Sequence, residues 1–149
     1  MKTLIIILII LSFLQATVLS LNLCLITLVC RSYIIRNDKY NFYLSFGLGL
    51  LISHLTLTPL GIYSLIFLIL TQFVALISST RLTANPLFII PIVFLCLLLN
   101  NLVTALIIHQ PFTINSQIFA GSFLSLPIFY LVRLWEERFI VRKEIKLRV

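Results

Sequence analysis

Few side chains in this sequence could carry chemistry. The conventional metal ligands are two histidines, His54 and His109, and three cysteines, Cys24, Cys30 and Cys96. The cysteines lack CxxC spacing and lie inside apolar runs, where the ordinary role is that of a small buried hydrophobe. A metal at the histidines would need both side by side with a third ligand. The four acids are Asp38, Glu136, Glu137 and Glu144, each close to basic residues at the margins of the apolar runs. No carboxylate is therefore expected in mid-segment, where ion-coupled pumps and carriers hold their ion. Neither an HExxH helix nor a convincing Ser–His arrangement is present. The sequence reads as a non-enzyme without catalytic residues, metal or cofactor. What remains is amide and hydroxyl chemistry: Gln15, Asn22, Gln72, Asn100, Asn101 and scattered Ser and Thr. Within lipid such groups join helices, at roughly 0.6–2 kcal/mol per hydrogen bond, or line a polar pocket for a small ligand.

The elements that position these residues follow from composition. The chain has 149 residues, 61% hydrophobic and 10% charged, with a mean hydropathy of +1.18. Soluble domains are roughly 45–50% apolar and about 25% charged. A soluble fold of this size could not bury so much apolar surface, and disorder requires the opposite composition. The expectation is an all-α membrane protein in a single integral domain. The net charge of +7 lies between and after the apolar runs, which suits loop orientation and anionic lipid headgroups and not a nucleic-acid partner.

Apolar stretches run over 3–21, 23–35, 42–57, 60–80, 87–108 and 118–134. The last three reach the roughly 20 residues that a bilayer core demands. The first three are shorter, and 3–30 could instead form one long helix. Charge decides between these readings. With six crossings and a cytoplasmic N-terminus, Lys2, Arg31, Arg36, Lys39, Arg81 and the tail from Arg133 all fall on one side. A single first crossing would split them. Six segments with both termini cytoplasmic are expected, and four spans plus a short re-entrant pair is the variant. Lys2 and the isoleucine run after it look like a signal sequence, but Gln15-Ala16-Thr17-Val18 is a poor cleavage site, so the first helix is expected to be retained.

Punctuation is sparse. Thr58-Pro59-Leu60-Gly61 predicts a tight outer turn, Asn85-Pro86 opens the fifth segment, and Pro91 and Pro127 lie inside the fifth and sixth. No room is left for an extramembrane domain. Ser45, Gly47 and Gly49 are small, and Gly49-x-x-x-Ser53 is a small-xxx-small face that permits close helix approach. The tail from Arg133 is expected to continue the sixth helix, with Arg133–Glu137 and Glu144–Arg148 at i,i+4 spacing and Trp135 as an interface anchor. Its basic residues Arg138, Arg142 and Lys143 are candidates for docking a cytoplasmic partner, alongside plain topology anchoring.

Four stretches together resemble the rod shape-determining MreD family: Leu14-Gln15-Ala16-Thr17-Val18-Leu19, Asn22-Leu23-Cys24-Leu25-Ile26, Phe46-Gly47-Leu48-Gly49-Leu50-Leu51-Ile52-Ser53, and Thr58-Pro59-Leu60-Gly61-Ile62-Tyr63. Order and spacing agree over most of the chain, whereas the last two segments resemble the family only in hydropathy and in the charged tail. The family's usual acids would fall at Ser53 and near Asn22. The resemblance implies a multi-pass scaffold of the bacterial inner membrane in the cell-elongation complex that maintains cell shape and makes lateral peptidoglycan. Its implied partners are membrane lipids and a bitopic MreC-like protein, with MreB, RodA and the penicillin-binding protein PBP2 beyond it. Neither nucleic acid nor a small-molecule substrate is expected. The residues expected to serve packing and partner contacts are Gln15, Gly47, Gly49, Ser53, Pro59 and Gly61. A second expectation, from the same short-helix six-span layout, is the substrate-binding subunit of an energy-coupling-factor vitamin transporter, with His54, His109 and Asn100 as polar contacts.

Overall fold

Long runs of Leu, Ile and Phe satisfy their backbone N–H and C=O groups locally by coiling. In the computed structural model, which describes residues 2–17, 21–35, 39–78, 86–109 and 116–145, this gives six α-helices and no strand among the described residues. They are α1 (Lys2–Thr17), α2 (Leu23–Ile34), α3 (Lys39–Leu55), α4 (Ile62–Ser78), α5 (Ile89–Ile108) and α6 (Ser116–Ile145). The turn Pro86–Phe88 before α5 is 3₁₀. The chain bends at Leu21 and resumes as a helix at Leu23, so one long helix over 3–30 is not formed. The sixth helix runs eleven residues past Leu134, to Ile145, and takes in part of the basic tail. Two stretches, Pro86–Ile107 and Ser116–Arg138, are long and apolar enough to cross a bilayer, whereas Leu4–Thr17, Leu23–Ile34 and Ile62–Ser78 are shorter apolar helices.

Local chemistry ends these helices where the sequence offers no hydrogen-bond continuation. After α3, Leu57 adopts a left-handed φ of 53° and Gly61 a φ of 98°. The glycine takes its value without Cβ strain. His109 closes α5 in the left-handed region, its N–H donating to the Ala105 carbonyl. Pro91 lies in the first turn of α5, where backbone N–H groups have no intrahelical acceptor, so it removes no helical bond. Pro127 lies in the interior of α6.

The centre of the molecule is α2. Leu25, Ile26, Leu28, Val29 and Cys30 are almost wholly buried, and the helix packs against each of the other five. Its twelve residues span only about 18 Å. Helix directions alternate. Ile26 lies close to Gly121, Cys30 meets the Ser125 carbonyl and Tyr33 meets Phe129, so α2 and α6 run in the same direction. Gly49 against Ser64 and Ser45 against Thr71 make α3 and α4 an antiparallel hairpin.

A close backbone approach lies in that hairpin. A Cβ on Gly49 would fall 2.4 Å from Ser64 Cα, and Ser64 Oγ donates to the Phe46 carbonyl at 3.0 Å. The face carrying Gly49 is thus turned inward onto α4. Gly47 is exposed, with nothing within 4 Å of an added Cβ. Gly49→Ala is expected to force α3 and α4 apart, at about 1–3 kcal/mol, the usual cost of overpacking. Gly47→Ala should be neutral. Thermal unfolding of the two variants in the same detergent checks the contrast, and equal melting temperatures would refute the close approach.

Candidate functional site: a buried clasp of Arg31, Glu136 and Asn41

Arg31 lies in the last turn of α2 with 1% of its surface exposed. Its Nε donates to Glu136 Oε1 at 3.0 Å across 105 residues of sequence, and Nη1 donates to Asn41 Oδ1. Asn41 is held in turn, its Nδ2 donating to the Ile35 carbonyl at 3.0 Å. A cation near a helix C-terminus also faces the negative end of the helix dipole. The polar line continues along α3. Ser45 Oγ lies 2.7 Å from the Asn41 carbonyl and 3.1 Å from Thr71 Oγ1 on α4. Ser78 Oγ, at the end of α4, donates to the Tyr33 carbonyl at 3.3 Å. One network therefore ties α6, α2, α3 and α4 together at the end of the bundle where α1 and α3 begin.

By sequence Arg31 and Glu136 are charges at segment margins on the cytoplasmic side; in the structure both side chains are packed inside the bundle and paired with each other. Glu136 belongs there by spacing. Ile118, Ser122, Ser125, Phe129, Val132 and Glu136 are all buried at intervals of three and four, one face of a helix. That periodicity was available in the sequence. Its neighbour pair Arg133–Glu137 forms the expected i,i+4 bridge at 2.9 Å, but over half exposed on both sides, and such a pair contributes little. Trp135, expected as an interface anchor, is half-buried and packs against the core.

At the opposite end Gln15 performs a second fastening. Its Nε2 donates to Asn22 Oδ1 at 2.9 Å, and its Oε1 accepts from the Cys24 backbone N–H at 3.2 Å. Asn22 occupies the N-cap of α2 without a side-chain cap bond of its own, so Gln15 caps the helix from α1. A cleft of about 140 Å³ adjoins Asn22, Asn101 and Gln117. Gly121, which the sequence reading passed over, sits beside it, and an added Cβ there would meet Leu97 Cδ1 at 2.9 Å.

The remaining expected site residues are dispersed. Ser53 is fully buried, its Oγ without a partner, and its carbonyl accepts from the Thr58 N–H at 3.2 Å. Pro59 is exposed in the turn, and its carbonyl accepts from the Ile62 N–H. Gly61 completes that turn, so Gly49, Ser53, Pro59 and Gly61 share the α3–α4 hairpin while Gln15 stands apart. Gln72 faces outward, Asn100 is buried with Oδ1 unpartnered, and His54 and His109 are exposed at separate helix ends. Cys24, Cys30 and Cys96 are free and buried, and no group of metal-ligating side chains gathers among the described residues. Arg138 is exposed on α6, whereas the side chains of Arg142 and Lys143 lie outside the described residues. No family model, curated protein or solved structure matches the chain.

With both charges engaged and buried, the clasp can do mechanical work: it fixes where α2 ends relative to α6 and α3. Removing one partner leaves a buried charge uncompensated, at about 3–5 kcal/mol, while replacing both with apolar side chains of similar volume is often neutral. Arg31→Met and Glu136→Leu singly should each lower the melting temperature sharply, and the double variant should recover most of the loss. Additive losses would show that the two side chains do not act as a pair.

Proposed function

We propose that the chain is a multi-pass protein of the bacterial inner membrane, its six helices forming a bundle with both ends cytoplasmic, and that it works as a non-enzymatic scaffold subunit. The carrying observation is inverted polarity. Arg31, Glu136, Asn41, Asn100 and a series of serines turn inward, while Ile6, Ile10, Leu65, Ile69, Phe123 and Leu131 are each more than half exposed. On a soluble monomer the largest apolar patch measures about 300–600 Å². In lipid the same surface is the solvated one.

Charge supports the orientation. Because the helices alternate in direction, the start of α1 and α3 and the ends of α2 and α6 share one end of the bundle. Arg31, Lys39, Arg133 and Arg138 all belong to that end, as the positive-inside rule requires of a cytoplasmic face. The short α2 fits as well. At about 18 Å it falls short of the roughly 30 Å hydrocarbon core, but it is enclosed by other helices, and protein-buried backbone escapes the requirement to span.

The scaffold role draws on the resemblance to MreD. A surface of Leu, Ile and Phe recognises partners by packing within lipid, which suits a bitopic MreC-like helix, with MreB, RodA and PBP2 joined through it. The second reading, a vitamin-binding transporter subunit, has the amide-lined cleft beside Asn22, Asn101 and Gln117 in its favour. At about 140 Å³ that cleft is well below the 300–1,000 Å³ of typical small-molecule sites. His54 and His109 do not reach it, and neither does Asn100.

Affinity purification of the full chain from native membranes in mild detergent, followed by mass spectrometry, separates the readings. An MreC-like protein or a peptidoglycan synthase is the expected companion. An ATP-binding-cassette pair with its coupling subunit, or a bound vitamin, would overturn the scaffold reading in favour of transport.

A further inference from the structure

A groove of about 370 Å³ runs between α1 and α6 over α2. Leu4, Leu8 and Leu11 form one wall, Ile128 and Leu131 the other, and Thr27 is on the floor. Thr27 satisfies its hydroxyl within its own helix by donating to the Leu23 carbonyl. The Thr27 donor is therefore used, and the rest of the lining is aliphatic apart from the Trp135 ring. Along α6 the groove-facing positions Ile128, Leu131 and Trp135 continue at the next helical interval to Arg138, which is exposed. Arg133, by contrast, is occupied by Glu137. The α6 wall of the trough is thus followed, one helical interval beyond Trp135, by a cation.

From this juxtaposition we infer that the groove holds one acyl chain of an anionic phospholipid, with the headgroup at Arg138. The inference rests on the membrane reading above. Apart from Thr27 and Trp135 the lining is aliphatic, which suits an acyl chain. The walls also lack the small residues that let a transmembrane partner approach closely. The lining is no more apolar than surrounding lipid, so selectivity comes from the headgroup, through the attraction of Arg138 for net negative charge.

The test uses the full chain in vesicles of equimolar phosphatidylglycerol and phosphatidylcholine. A photoreactive leucine analogue replaces Leu131 in the groove or, as a control, Leu65, which is equally exposed on α4. Crosslinks at Leu131 should favour phosphatidylglycerol by about fivefold, the effect of one basic residue at an anionic surface. Crosslinks at Leu65 should show no preference, and Arg138→Gln should abolish the preference at Leu131. Equal ratios at the two positions, or an unchanged ratio in Arg138→Gln, would overturn the inference, as would a protein adduct at Leu131 in native membranes. Release of the protein from vesicles by alkaline carbonate would instead mark failure of the membrane reading itself.

Discussion

A guanidinium without a partner in an apolar interior is among the most costly arrangements a fold can contain, and Arg31 is buried almost completely. Much of the architecture follows from meeting that demand. The sixth helix must reach Glu136, twenty residues beyond its start at Ser116. The third helix must begin early enough to bring Asn41 alongside, and Asn41 in turn holds the Ile35 carbonyl at the exit of α2. A twelve-residue helix with contacts to all five others has no freedom to slide once this end is fixed and Gln15 caps the other.

The two fastenings differ in kind. The Gln15 cap satisfies one backbone donor of the sort every helix start leaves open, and it sets the turn between neighbours in sequence. The Arg31–Glu136 pair joins distant parts of the chain, and it stands where four helices meet. Between them the contacts are mostly apolar, with serine hydroxyls bonded back to carbonyls of their own helices, as at Ser12, Ser45 and Ser122. Such hydroxyls occupy little space and leave no unmet donor, so helices can approach as they do at Gly49.

Apart from the extension of α6 into the charged tail, hydropathy alone located the helices to within a few residues, because apolar runs bounded by Pro, Gly, Asn and charge have little other choice of structure. The break at Leu21 was legible through charge placement. Gly49 was picked out by its small-xxx-small spacing with Ser53, but spacing does not say which neighbour a face will meet, and that neighbour is Ser64 of the same chain. Arg31 and Glu136 escaped for a physical reason: a charge near the end of an apolar run looks the same whether it snorkels to water or finds an opposite charge within the bundle. Only the periodicity of α6's buried face, carried one step past Val132, distinguishes Glu136 from Glu137.

The separation of 105 residues between Arg31 and Glu136 has a meaning in time. At about 5–20 residues per second of synthesis, the guanidinium waits roughly 5–20 s after emerging before its carboxylate exists. Through that interval Arg31 lacks its ion-pair partner. The helix that supplies Glu136 completes the core, and a chain cut short before it carries Arg31 without its partner.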